Sequence, residues 1–180
     1  DCKTKLEERV DSLKPIVFQE KLGSIYDKSV RVAALAKKIA DAIGSDPALA
    51  ERAAMLAKTD LVTEMVLEFT DLQGSAGRID SLVGLFGINQ PPSGTRDPFA
   101  LRRASLGVLR IIIESELPLD LQTCCEWAEE NFTVLTEQNT ASTVVDYMLE
   151  RFRAHYDEQG IGAEVYLAVH ARRPTRPLDF

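Results

Sequence analysis

The sequence predicts an all-α fold, and three observations carry that reading. Apolar residues recur at the 3.6-residue period of an amphipathic helix through most of the 180 residues. The helix-start pair Asp-Pro occurs twice, at Asp46-Pro47 and Asp97-Pro98. No stretch alternates apolar and polar residues for long, and the β-branched run at 111–113 sits inside a helical pattern. With 45% hydrophobic and 27% charged residues, the chain has the composition of one globular domain or slightly more.

The elements follow in order. Asp27 reads as the N-cap of a helix with Val32, Leu35, Ala36, Ile39 and Ile43 on one stripe, closed by Gly44. Asp46-Pro47 opens a long helix toward Phe69, and Asp97-Pro98 another through Leu101, Ala104, Val108 and Ile112. Pro118 starts a helix through Cys124, Cys125 and Trp127. Residues 142–158 carry Val145, Met148 and Phe152 on one side, and a last helix runs from about Gly162 to the Arg173-Pro174 step. The Pro- and Gly-containing stretch 89–95 is a loop between two helical groups.

Several classes of function fall away. No apolar run approaches the roughly 18–20 residues of a spanning helix. Residues 1–5 have neither a start Met nor a secretory core, so the chain reads as an internal piece of a longer one. Three cysteines, two of them adjacent, suit neither a disulfide framework nor a C-x₂-C metal site, and read as reduced cytosolic thiols. A net charge of −7 disfavours binding of nucleic acid by the chain as a whole. The charge is unevenly spread, however. Residues 114–164 hold twelve acids against two bases, whereas Arg96, Arg102, Arg103 and Arg110 form one basic patch and Arg172, Arg173 and Arg176 another.

Asp60 falls in register with Leu49, Ala53 and Leu56 on a stripe expected to face the core, where an ionised carboxylate needs a partner. Asp80, beside Ile79, Leu82, Val83 and Phe86, is a second half-buried carboxylate. Such a pair suits a metal or acid–base site, or a partly solvated stripe. His155 reads as a core or helix-end residue and His170 as a surface one, and neither has a metal-ligand partner at the right spacing. Nucleophile elbows, P-loops and dinucleotide fingerprints are absent. The glycine-rich 74–77 follows a helix rather than a strand, and Gly84 and Gly87 suit close helix packing. Every base after Pro91 is Arg, the side chain suited to bidentate phosphate or carboxylate contact. For Arg102 and Arg103, pairing with the acidic helix bearing Glu126, Glu129 and Glu130 and contact with phosphate stand as equal alternatives.

Longer strings are more specific. Lys58-Thr59-Asp60-Leu61-Val62-Thr63-Glu64-Met65-Val66, then Glu68-Phe69-Thr70-Asp71-Leu72-Gln73-Gly74, closely resembles the β subunit of bacterial heterotetrameric glycyl-tRNA synthetase. So do Arg78-Ile79-Asp80-Ser81-Leu82-Val83-Gly84, Arg96-Asp97-Pro98-Phe99-Ala100-Leu101-Arg102-Arg103-Ala104 and Ala171-Arg172-Arg173-Pro174-Thr175-Arg176-Pro177. The matches keep their order from about Val17 to the end. One departure stands out: the family has some tens of residues between the strings that meet here at Gly77 and Arg78.

The resemblance implies an incoming segment at 1–20, a helical domain like the HD phosphohydrolases at 21–113, and at 114–180 helices leading into the anticodon-binding part. It implies a cytoplasmic α2β2 enzyme that joins glycine to tRNA(Gly) with ATP and Mg²⁺ at the α-chain site. The present chain then contributes no catalytic residue, cofactor or metal, and helps grip the tRNA. The HD metal positions, a His, a His-Asp pair and an Asp, map onto Lys28, Thr59-Asp60 and Asp80, so both carboxylates stay and every imidazole is lost. Two carboxylates alone suit such metals poorly. Lys28 is expected to neutralise Asp60, so that Lys28→Met would cost a few kcal/mol. Arg102, Arg103, Arg110, Arg172, Arg173 and Arg176 are the expected tRNA contacts. A surviving HD-type metal-dependent phosphohydrolase and a pure subunit-bridging scaffold are the competing readings.

Overall fold

Ser24 and Asp27 exchange hydrogen bonds at the head of the first long helix. The Ser24 hydroxyl accepts from the Asp27 amide at 3.1 Å, and the Asp27 carboxylate accepts from the Ser24 amide at 2.7 Å. This is a capping box, with Ser24 the N-cap of α1 (Ile25–Ala42) and Asp27 three positions in, not the N-cap that the periodicity suggests. A short hairpin, β1 (Val17–Gln19) paired antiparallel with β2 (Gly23–Ser24), delivers the chain to that cap. The computed structural model describes residues 5–62, 74–158 and 160–179. Over those residues the chain is all-α apart from this hairpin.

Helix α1 ends as its glycine foretells. Gly44 takes φ +70°, its amide bonds to the Asp41 carbonyl, and the Ser45 amide reaches the Ala40 carbonyl at 2.8 Å, which closes a Schellman motif. Asp46 then caps α2 (Pro47–Leu56) by accepting from the amides of Ala48 and Leu49, with Pro47 at N1. The expected run to Phe69 is not found. The helix stops at Leu56, the Thr59 hydroxyl donates to the Leu56 carbonyl at 2.7 Å, and a 3₁₀ turn occupies Thr59–Val62. Leu49 is 63% exposed and Ala53 is also exposed, so that stripe does not face the core.

Helix α3 (Ser75–Gly87) is the central element, crossing the junction at 77–78 without interruption and packing against α1, α4, α5 and α6. Its glycines permit the close contacts. A Cβ on Gly84 would lie 2.8 Å from Phe132 Cζ, and one on Gly87 2.5 Å from Leu135 Cδ2. Helix α4 (Leu101–Glu114) begins three residues after Pro98. The Asp97 carboxylate still caps it, accepting from the Leu101 and Arg102 amides, because Ala100 turns through φ 55° between them. Likewise α5 (Leu121–Glu129) starts after Asp120, not at Pro118. It buries Cys124 and Cys125, and burial pushes the Cys124 thiol up to about 12.

Helix α6 (Thr140–Glu158) sets Val144, Val145, Met148, Leu149 and Phe152 into the core at zero exposure. Helix α7 (Ala163–His170) follows, with the Tyr166 hydroxyl donating to the Leu149 carbonyl. His170 is half-buried, its ring 5.4 Å from that of Tyr166. The His155 side chain lies outside the described residues. The last segment folds back. The Leu121 amide donates to the Thr175 carbonyl at 2.8 Å, and the 3₁₀ turn Pro177–Asp179 packs against α4. Among the described residues, no helix is long and apolar enough to cross a membrane.

Candidate functional site

Helices α1 and α3 cross with two cations facing one carboxylate. Lys28 and Arg31 are one turn apart on α1, while Asp80 and Ser81 are adjacent on α3. Arg31 Nε donates to Asp80 Oδ1 at 2.9 Å, and Lys28 Nζ lies 4.0 Å from Oδ2. Lys28 also donates to Ser81 Oγ, which passes its own proton to the Gly77 carbonyl at 2.9 Å. Side-chain exposures are 4% for Lys28, 11% for Arg31 and 2% for Asp80. Aromatic faces complete the enclosure, with Lys28 Nζ 4.0 Å from the Phe18 ring centroid and the Arg31 guanidinium 4.4 Å from that of Phe132.

Of the four expected remnant positions, the structure thus joins Lys28 to Asp80. Thr59 is buried and bonded to its own turn, and the Asp60 side chain lies outside the described residues. The partner that the sequence reading missed is Arg31. Its signal was available, since a helical i, i+3 step puts it on the same face as Lys28.

A dication does not fit this arrangement. Both oxygens of Asp80 already face cations, so a metal there would meet two like charges at close range. Among the described residues, no three His, Cys, Asp or Glu side chains converge as a metal shell requires. Beside the cluster lies a cavity of about 420 Å³ between α1, α2 and the start of α3. Its walls are largely aliphatic, among them Val32, Ala36, Ile39, Ala50, Ala53 and Ala54, with Lys28 and Lys58 also at its surface. Among the described residues, this lining offers a phosphoester no carboxylate or imidazole for acid–base work.

Burial pushes the Lys28 ammonium down to about 8, with Asp80 pulling the other way and Arg31 and Lys58 adding to the fall. Burial also pushes the Asp80 carboxyl up, against the pull of Arg31 and Lys28. For Lys28 the consequence has a definite sign. Between about pH 8 and the ordinary lysine value of 10.5, the unfolded chain holds a proton that the folded chain has released, so stability rises with pH across that window. Wild type should therefore gain stability relative to Lys28→Met as pH goes from 8 to 10, measured as urea midpoints for both. Parallel curves would show that Lys28 is not held in a depressed state.

The arginines divide differently from either alternative. Arg102 reaches back to the Gly94 carbonyl, and Arg173 pairs with Asp146 at 2.6 Å. The side chains of Arg103 and Arg110 are exposed on α4 and have no hydrogen bond or ion pair among the described residues, and the same holds for the exposed side chains of Arg172 and Arg176. Of the two alternatives for Arg102 and Arg103, pairing with α5 is not formed among the described residues. Glu126 accepts from Gln122, Glu129 from the Thr140 and Ala141 amides, and Glu130 from Lys38.

A family model described as "Glycyl-tRNA synthetase beta subunit" matches residues 1–79 and again 75–171. Among curated proteins, the chain is 73% identical to a glycine–tRNA ligase beta subunit from Marinobacter nauticus. It is 47% identical to one from Hahella chejuensis and 43% to one from Shewanella baltica. Each alignment covers all of this chain and 32% of the relative, so the chain spans about a third of the length of the curated relatives it matches. The first alignment extends over 223 positions against 180 residues here, a difference of 43. The two family matches meet within residues 75–79, where the family's intervening segment was expected.

Proposed function

The chain belongs to the glycyl-tRNA synthetase beta subunit family, and from that premise we propose that it is a non-catalytic, tRNA-gripping region of a glycine–tRNA ligase. In this reading the α subunit of a cytoplasmic α2β2 enzyme binds ATP and Mg²⁺ and joins glycine to tRNA(Gly). Residues 21–113 are the HD-like part and residues 114–180 lead toward the anticodon-binding region. The observation that carries the reading is the α4 surface, where Arg103 and Arg110 are exposed and their side chains have no partner among the described residues, in a chain whose net charge is −7. Guanidinium groups left free in an acidic protein are suited to phosphate, and duplex RNA is bound largely through shape, phosphate and 2′-hydroxyl contacts.

The test is a charge reversal in the assembled enzyme. Arg103→Glu should weaken tRNA(Gly) binding several-fold at low salt and less at high salt, without altering which amino acid is attached. Unchanged affinity and unchanged aminoacylation would remove Arg103 from the interface. The competing phosphohydrolase reading requires turnover of a generic phosphodiester with added Mn²⁺, and the Lys28–Asp80–Arg31 cluster speaks against it.

A further inference from the structure

Arg103 and Arg110 lie seven residues apart, two helical turns and about 10 Å along the axis of α4, on the face opposite its buried stripe of Leu101, Val108 and Ile112. Gly107 sits between them, four residues after the first and three before the second, on the same side of the helix. That position is not empty. The guanidinium of Arg78, from α3, lies against the Gly107 backbone, so that a Cβ built there would be 2.8 Å from Arg78 Cζ and 3.2 Å from Nε. Arg78 is half-buried, yet among the described residues its guanidinium has no hydrogen bond or ion pair. The Arg78 guanidinium thus reaches the face of α4 that carries Arg103 and Arg110. The nearest acid along this face of α4 is Glu114, one turn beyond Arg110, and no ion pair joins the two among the described residues.

Like charges do not gather without an opposing partner at no cost. Glycine inside a helix also costs about 1 kcal/mol relative to alanine, and here it opens the space that Arg78 uses. We propose that Arg78, Arg103 and Arg110 form a phosphate-binding triad, with Gly107 as the notch that seats Arg78. Resting on the tRNA reading above, the phosphates are those of an RNA backbone. Five N–H donors on each guanidinium suit bidentate contact with non-bridging oxygens. The packing of Pro177–Asp179 on α4 brings the second basic segment, which ends in Arg176, alongside the same helix.

The experiment uses the assembled enzyme, a tRNA(Gly) transcript titrated across 50–200 mM salt, and inorganic pyrophosphate as a second probe. Arg78→Ala, Arg103→Ala and Arg110→Ala should each lower the slope of log K against log salt by about 0.7–0.9. Gly107→Ala should reproduce the Arg78→Ala slope, and the double variant should fall no further, because both changes remove the same contact. Circular dichroism melts confirm that each variant is folded. Undiminished slopes in the three arginine variants, with tRNA still bound, would overturn the triad and leave the tRNA reading standing. Pyrophosphate binding that depends on the triad, without any tRNA binding, would support the phosphate site and overturn the RNA source. Binding of neither probe would overturn both.

Discussion

Asp80→Ala is expected to cost about 3–5 kcal/mol of folding stability, read as a lower urea midpoint with an unchanged slope. The reason is the company Asp80 keeps. Its carboxylate is 2% exposed and is the acceptor for Arg31 at 2.9 Å, with the Lys28 ammonium 4.0 Å from its other oxygen. Removing it leaves two buried cations facing each other with no anion between them, and breaking one side of a buried pair is far costlier than never having formed it. Removal of Lys28 is the opposite case. Arg31 keeps Asp80 paired, and the ammonium that leaves was held at a depressed pKa by burial. Lys28→Met should therefore cost less than about 1 kcal/mol, not the few kcal/mol expected if Asp60 depended on it. A loss below 1 kcal/mol in Asp80→Ala would mean that the cluster does not carry the crossing of α1 and α3.

That cluster marks the limit of what could be read from the chain alone. Helix identity was legible because it is local. The Asp46-Pro47 start, the Gly44 stop and the Val145, Met148, Phe152 stripe each depend on residues within a turn or two. Starts were displaced where a carboxylate caps from a distance, as Asp97 does for Leu101 and Arg102. The end of α2 was hidden because Thr59 stops it through a side-chain bond that no apolar periodicity records. Long-range pairing was less legible still. Asp80 could be singled out by its apolar neighbours and Lys28 by the family resemblance, but nothing pointed to Arg31. Nothing in the sequence says that Arg78 reaches Gly107, because the contact joins α3 to α4 and gives neither residue a local anomaly. The idea that α5 would absorb the α4 arginines failed because Glu126, Glu129 and Glu130 are taken by partners of their own.

Phe152→Ala should be comparably severe, about 3–5 kcal/mol by urea unfolding. Phe152 has no exposed surface, its ring stacks on Tyr156 at 5.6 Å, and it shares a small gap with Leu106, Leu109 and Ile113 of α4. Truncation removes a large buried ring where α6 supports the helix that carries Arg103 and Arg110, and close-packed neighbours fill such a void only in part. The contrast with the surface variants separates support from contact. Arg103→Ala should shift stability by no more than about 0.5 kcal/mol while lowering the salt dependence of tRNA binding. Phe152→Ala should do the reverse at temperatures where it remains folded, because the three guanidinium groups are still present and still charged. If Phe152→Ala lost both the fold and the salt slope in parallel, RNA binding would be tied to the rigidity of α4 and not to its arginines. If it cost under 1 kcal/mol, the α4–α6 contact would not be what holds the basic surface in place.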